Sequence, residues 1–370
     1  MKGKRKLNLF DKIILWLNCL LCLALLISYL APVVDPKTFW VVAFFGLAYP
    51  PLLLGSLIFI IYWILRKNWY FIVSVLCIAI GYSVLLNNFQ LHGPSSYSNG
   101  PNQTVINMMT YNVHNFKRYG ANNDISTKHE ILQVINESQP DVIGIQEFYT
   151  RKAGQYDMRD SILRIMGTTW YYFEPAVANT QEAIGIAIFS KFPIVAHGFV
   201  PFANKMGENA CLYIDIKKGD IQFRVYSVHL QSIRFDNEDY KYLNSIAKQG
   251  SKTDGSSARR LGSKLKTAFI KRSDQVKKIK EHAAQCPYPY IISGDFNDTP
   301  ASYAVNQMAK GIKNAFREGG AGFGRTYNGD FPNYQIDYIM ASPQFDVRSY
   351  QIIEKKLSDH YPVKSDLVLR

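Results

Sequence analysis

The sequence is poor in three things, and each shortage excludes something. Cysteine is the first: there are five in 370 residues, and Cys19, Cys22 and Cys77 fall inside apolar runs, which excludes a disulfide framework and a cysteine-built zinc site. Cys211 and Cys286 are left either as one bridge in an oxidising compartment or as two free thiols. Acidic side chains are the second. Residues 1–103 hold Asp11 and Asp35 against eight Lys and Arg, in a chain whose net charge is +13, and this favours a polyanionic or membrane-surface partner. Charge of either sign is the third, since 13–30, 39–65 and 69–86 carry none. At ~1.5 Å of rise per residue, about 18 residues nearly cross a ~30 Å hydrocarbon core. A wholly soluble chain is excluded.

These runs read as three transmembrane helices, and the two later ones argue against a cleaved signal peptide. Pro50 and Pro51 predict a kink in the middle run. Five basic residues precede the first run, Lys37 alone lies in the first loop, and Arg66 and Lys67 form the second. That asymmetry places the N-terminus in the cytoplasm and everything after Leu86 on the outer side, periplasmic or extracellular. Trp40, Trp63, Trp69 and Tyr70 fall where interfacial aromatics would sit. Residues 92–103 are polar and rich in Gly, Pro, Ser and Asn, the composition of a flexible linker between an anchor, 1–91, and a second domain, 104–370.

In that second domain, short β-branched and aromatic runs alternate with helical spacing. Strands are expected at 106–112, 141–146, 185–189, 194–202, 211–216, 221–229, 290–293, 336–340 and 363–368, and helices around 128–136 and 265–283. This is mixed α/β, with an active site expected on loops at strand ends. Ser232 to Gly262 reads as an inserted loop at the rim of such a site.

Several strands end in carboxylate, amide or imidazole: Asn112, Glu147, His229, Asp295 with Asn297, Asp337, and Asp359 with His360. Singly, such residues are turn formers or helix caps. Together, their oxygens suit magnesium or manganese, and the lack of Cys and His pairs at zinc spacing excludes structural zinc. Asp295 and Asn297, two apart, would share one side of an extended segment. His92, His114, His129, His197 and His282 have no motif around them and read as surface or packing residues.

Asn112 in its strand, Gln146-Glu147, His229-Leu230, Gly294-Asp295-Phe296-Asn297-Asp298, Ile336-Asp337-Tyr338 and Ser358-Asp359-His360-Tyr361-Pro362 resemble the ordered motifs of the endonuclease/exonuclease/phosphatase family. The resemblance covers 104–370. It implies a four-layer α/β sandwich, two packed mixed β-sheets flanked by helices, and metal-dependent cleavage of phosphate esters. By the same resemblance Glu147, with Asn112 and Asp359, would hold Mg2+ or Mn2+. Asp295 would activate water, Asn297 would hold the phosphate, and His360, its tautomer fixed by Asp337, would contact it. His229 would protonate the leaving oxygen, with Glu182 able to orient it. The substrate is expected to be nucleic acid, as for a nuclease, with a phospholipid head group as the alternative. A non-catalytic membrane interaction protein is the remaining class; uncharged spans offer no ion path.

Overall fold

Alternation along the strands decides how residues 104–370 are layered. The computed structural model describes residues 7–91, 104–117, 125–203, 207–249, 255–329 and 333–370, so the expected linker 92–103 lies outside the described residues. The strands are β1 (Thr104–Asn112), β2 (Val142–Arg151), β3 (Trp170–Ala178), β4 (Glu182–Ser190), β5 (Ile194–Val200), β6 (Ala210–Lys218), β7 (Ile221–His229), β8 (Tyr290–Asp295), β9 (Lys313–Asn314), β10 (Asp337–Ala341), β11 (Phe345–Val347), β12 (Gln351–Ile352) and β13 (Val363–Leu369). One sheet runs β11-β13-β1-β2-β4-β3, with β12 on β13, and the other β5-β6-β7-β8-β10-β9. Both are mixed: β1 and β2 are parallel, as are β7 and β8, among antiparallel neighbours.

Side chains two apart share a face. In β1, Ile106 and Met108 enter a core between the sheets with Val142, Phe223, Val225, Ile291 and Ile339. Met109 and Tyr111 turn the other way, onto the Ile125–Ser138 and Met158–Met166 helices. Beyond the second sheet, Tyr226, Val228 and Ile292 pack against Val276 and Ile279 of the Gly255–Ala284 helix and Met308 of the Tyr303–Ala309 helix. The result is the expected order of helix, sheet, sheet, helix.

The inter-sheet face changes character along its length. Ile106 and Met108 are followed by Thr110 and Asn112, Phe223 and Val225 by Ser227 and His229, Ile291 by Ser293 and Asp295. The antiparallel β10 starts with Asp337 opposite Asp295 and runs on to Ile339 and Ala341. Buried hydroxyls and amides need partners, and here they find one another: Thr110 Oγ1 donates to Gln146 Oε1 at 3.3 Å, and Gln146 Nε2 to Ser227 Oγ at 3.0 Å. Gly144 is required beside them, because a Cβ there would lie 2.8 Å from Ser227 Oγ.

Residues 7–91 depart from the expectation of three transmembrane helices of which only the middle one is kinked. Leu9–Ser28, 20 residues, is the one described helix long and apolar enough by itself to cross a membrane. The second run is split into Val41–Leu47 and Tyr49–Leu65, bent by 61°, and the third into Phe71–Ile80 and Tyr82–Asn88, bent by 73°. The first bend falls where Pro50 and Pro51 were expected to act. Both open the second helix, where a missing N–H leaves no bond unmade. The second bend has no proline. A Cβ on Gly81 would lie 2.0 Å from the Tyr29 ring, whose hydroxyl donates to Cys77 O at 3.1 Å, so the ring occupies the bend and only glycine fits beside it. Trp63, expected at an interface, is instead fully buried, edge-on to Tyr62 and Tyr70.

The segment 232–262 is not a loop. It contains the Asn237–Gln249 helix and the start of the Gly255–Ala284 helix. Buried Asp239 holds them together, its carboxylate taking Arg260 Nε at 3.0 Å and Lys264, which also reaches Asp236 at 2.8 Å. Cys211 and Cys286 are both free thiols.

Candidate active site

The registers bring the polar strand ends to one level. His229 is the Cα partner of Asp295 across the parallel β7 and β8, and Asp337 that of Asp295 across β8 and β10. Asn112, at the end of β1, crosses the gap between sheets. Its amide donates to Glu147 Oε1 and to Asp295 Oδ2, each at 3.1 Å. Glu147 reaches that point because β2 bulges between Ile145 and Phe148, with a φ of 52° at Glu147 itself. The bulge turns a side chain that strict alternation would send onto the helix layer.

Asp295 is the centre. His229 Nε2 and His360 Nε2 each lie 3.6 Å from its Oδ2. Asn297 N donates to its Oδ1 at 2.8 Å and Asn297 Nδ2 to its Oδ2 at 3.2 Å. The two residues do not share one side of an extended segment as expected. Asn297 has a φ of 52°, and a tight turn folds its amide back over the carboxylate. Arg272, buried on the Gly255–Ala284 helix, donates to Asn297 O at 2.7 Å and Gln231 O at 3.1 Å and sits 2.9 Å from Asp298. It thereby fixes the loops after β7 and β8.

His360 Nδ1 lies 2.9 and 3.1 Å from the two oxygens of Asp337, whose own N–H donates to Thr326 Oγ1 at 3.0 Å. The ring of Tyr327 meets His360 edge-on at 5.4 Å. Burial would lower the His360 imidazole, but the carboxylates of Asp337, Asp295 and Asp359 hold it well above its usual range. Burial raises the Asp295 carboxyl, opposed by His360 and His229 and reinforced by Asp337. Glu147 goes the other way: burial would raise it, yet bonded His114, the charge of His229 and the Asn112 amide together hold it at about 2.

His114 belongs to this group, against the reading of it as a packing residue. His114, Asn115 and Phe116 all have positive φ, which turns the chain back after β1. That leaves Nδ1 3.5 Å from Glu147 and 3.6 Å from Asp359. Its bond to Glu147 raises the imidazole despite burial, and the charge of Asp359 adds to this. No spacing in the sequence marks so irregular a turn. Glu182, expected to orient His229, is elsewhere, with Tyr149 at 2.6 Å and Arg151 at 3.2 Å. The Nδ1 of buried His229 has no hydrogen-bond partner among the described residues. His282 bonds the Tyr226 hydroxyl at 2.9 Å, His197 stacks on Tyr172 and His129 is exposed, whereas His92 lies outside the described residues.

Two sets of donors could hold a cation. Glu147 and Asp359 both lie beside His114 Nδ1, with the Asn112 amide bonded to Glu147, and the depressed Glu147 carboxyl is ready to bind without losing a proton. Asp295, Asp337 and His360 have ligand atoms within 4.8 Å of one another, but both Asp337 oxygens already face His360 Nδ1. The oxygen set fits a hard divalent ion better. A cavity of about 540 Å³ opens over Glu147, His229, Asp295, Asn297, Asp359 and His360.

Among solved structures the chain is similar to an endonuclease/exonuclease/phosphatase from Beutenbergia cavernae, at 19% identity and a TM-score of 0.49, over 72% of each chain. It is similar also to the human Nocturnin catalytic domain with bound sulfate, at 16% identity and a TM-score of 0.49, over 72% of this chain and 98% of that one. A mannosyl-6-phosphatase from Bacteroides thetaiotaomicron is 17% identical with a TM-score of 0.48, over 71% of this chain and 100% of that one. No curated protein matches. Residues 11–88 match a domain of unknown function. Residues 109–360, more than half of the chain, match the endonuclease/exonuclease/phosphatase family, and the chain belongs to that family of metal-dependent phosphoesterases.

Proposed function

We propose that the chain is a membrane-anchored hydrolase of phosphate esters, dependent on Mg2+ or Mn2+, which cleaves a phosphodiester by in-line attack of water. One observation carries this reading: Asn112, His229, Asn297 and His360 all converge on the single carboxylate of Asp295, with Glu147 joined through the Asn112 amide.

Glu147 and Asp359, with Asn112, would hold the cation. Bound there, it would neutralise phosphate charge and polarise the phosphoryl oxygens. Asp295, lifted by burial, accepts the proton of the attacking water. Asn297 fixes that carboxylate, its side-chain amide shared between Asp295 Oδ2 and Leu230 O. His360, held in one orientation by Asp337, donates from Nε2 to the developing charge. His229, on the opposite side of Asp295, gives its proton to the leaving oxygen as the phosphorus–oxygen bond breaks, so alcohol and phosphate products both leave with their protons accounted for. His114 holds Glu147 and Asp359 in place.

Anchoring through residues 7–91 is supported by the run of exposed side chains on Leu9–Ser28, including Trp16, Leu20 and Leu23. A nuclease is the branch with less support. On the Gly255–Ala284 helix, Lys264 is paired with Asp236, while Lys278, Lys280 and Lys266 are tied to Phe202 O, Lys310 O and the Trp40 ring instead of standing free. Purified full-length protein should release nitrophenol from bis(4-nitrophenyl) phosphate with magnesium or manganese, and stop when chelator is added. No hydrolysis with any divalent ion would defeat the reading.

A further inference from the structure

The cavity above Asp295 is not walled by the catalytic sandwich alone. Phe44, Leu47 and Pro51, from the bend between the Val41–Leu47 and Tyr49–Leu65 helices, form one side of it, and Leu261, Leu265 and Phe269 of the Gly255–Ala284 helix form another. The floor is ionisable and the walls are apolar. Contacts on both flanks of the bend fix it there. Tyr334 donates to Leu47 O at 3.2 Å, and the Phe44 and Phe269 rings meet edge-on at 5.4 Å. Ser273 Oγ donates to Asp35 Oδ1 at 2.8 Å, and Gln307 Nε2 to Pro32 O at 3.1 Å. Gly46 sits in the bend between Ala31 and Ala301: a Cβ there would lie 2.5 Å from Ala31 Cβ and 3.1 Å from Ala301 O.

The apolar wall continues outward. The helix that contributes Pro51 presents Leu54, Leu57, Ile58 and Ile61 outside, each between 44% and 60% exposed. A water-soluble diester would leave the upper cavity wet against apolar side chains. A molecule with a phosphate at one end and a hydrocarbon chain at the other would cover both surfaces.

Resting on the hydrolase reading above, we propose that the substrate is a membrane phospholipid. Its phosphate sits on the floor at Asp295 and His360, and the first part of an acyl chain runs between Phe44, Leu47 and Pro51 on one side and Leu261 and Leu265 on the other. The bend is thus a specificity-determining part of the active site. Water adds to phosphorus, one phosphorus–oxygen bond breaks, and the free alcohol and the phosphate-bearing fragment leave.

The test uses the full-length protein in detergent micelles with magnesium. Dibutanoyl and dipalmitoyl phosphatidylglycerol are compared in the same micelles, with bis(4-nitrophenyl) phosphate and a DNA duplex alongside. We expect the long-chain lipid to be preferred by about tenfold or more in kcat/KM. That preference should collapse in Phe44→Asp and again in Leu265→Asp; two variants on opposite walls keep the result readable if one fails to fold. Equal kcat/KM for the two chain lengths, or DNA cut faster than either lipid, overturns the lipid assignment. If the nitrophenyl ester is still hydrolysed in that case, the hydrolase reading survives it. If nothing is hydrolysed, both fall.

Discussion

The two halves of the molecule are inside out with respect to each other. In the sandwich the fully buried side chains include Ile214, Phe223, Val225 and Ile291. In the N-terminal helices, Asn18, Ser28, Ser56 and Ser74 are fully buried, while Trp16 is 71% and Ile80 69% exposed. Polar contacts close the inside of the helical half: Ser74 Oγ donates to Asn18 Oδ1 at 2.7 Å, and Asp11 takes Tyr62 at 2.7 Å and Arg66 at 2.6 Å. Without water to drive apolar surfaces together, helices associate through packing and interhelical hydrogen bonds. The candidate site lies where the two constructions meet.

That contrast can be broken at several points. The largest effect is expected where apolar volume is lost from the sandwich: Phe223→Ala should cost about 3–5 kcal/mol in denaturant unfolding, while Leu20→Ala on the outer face of the first helix should change it by less than about 0.5 kcal/mol. Similar costs for the two would erase the distinction. Next, Asp295→Asn or His360→Ala should lower kcat by about 10²–10³, some 2.7–4 kcal/mol of barrier, with circular dichroism unchanged. His114→Gln should cost less, about tenfold in kcat/KM, with a greater requirement for added metal, because Glu147 and Asp359 lose the group between them. Equal metal dependence in that variant would exclude His114 from the site. Gly46→Val should push the bend away from Ala31 and Ala301, read as faster protease cleavage within 30–50 and unchanged cleavage elsewhere. The smallest effect belongs to Glu182→Gln, whose exposed contacts with Arg151 and Tyr149 should leave both stability and turnover within error.

Much of this was legible in the sequence where side-chain chemistry and periodicity agree. Val142, Ile143 and Ile145 announce a strand buried on both faces, and the strand-end residues Asn112, His229, Asp295 and His360 arrive together because alternation and register are fixed by the same apolar pattern. What stayed hidden depends on irregular backbone or on distant contacts. The motifs name Glu147 and Asn297, but not the bulge and the turn that carry them, and they miss His114, brought in by three successive positive φ values. Residues 232–262 look like a loop by composition, yet 237–249 and 255–262 are helical, tied together where Asp239 gathers Arg260 and Lys264. The apolar runs gave three helical stretches but not the 61° and 73° bends that leave one of them long enough by itself to cross a membrane. The second bend depends on Tyr29, 52 positions before Gly81, occupying its inner side.

The central claim is that the cluster around Asp295 hydrolyses a phosphate ester with the help of a divalent cation. Its most direct measurement is the rate at which full-length wild-type and Asp295→Asn protein release nitrophenol from bis(4-nitrophenyl) phosphate, each with magnesium and with chelator. The account predicts turnover by the wild type that chelator abolishes and added magnesium restores, and a rate about 10²–10³ lower in Asp295→Asn. Equal rates in the two proteins, or a wild-type rate indifferent to chelator, would contradict it.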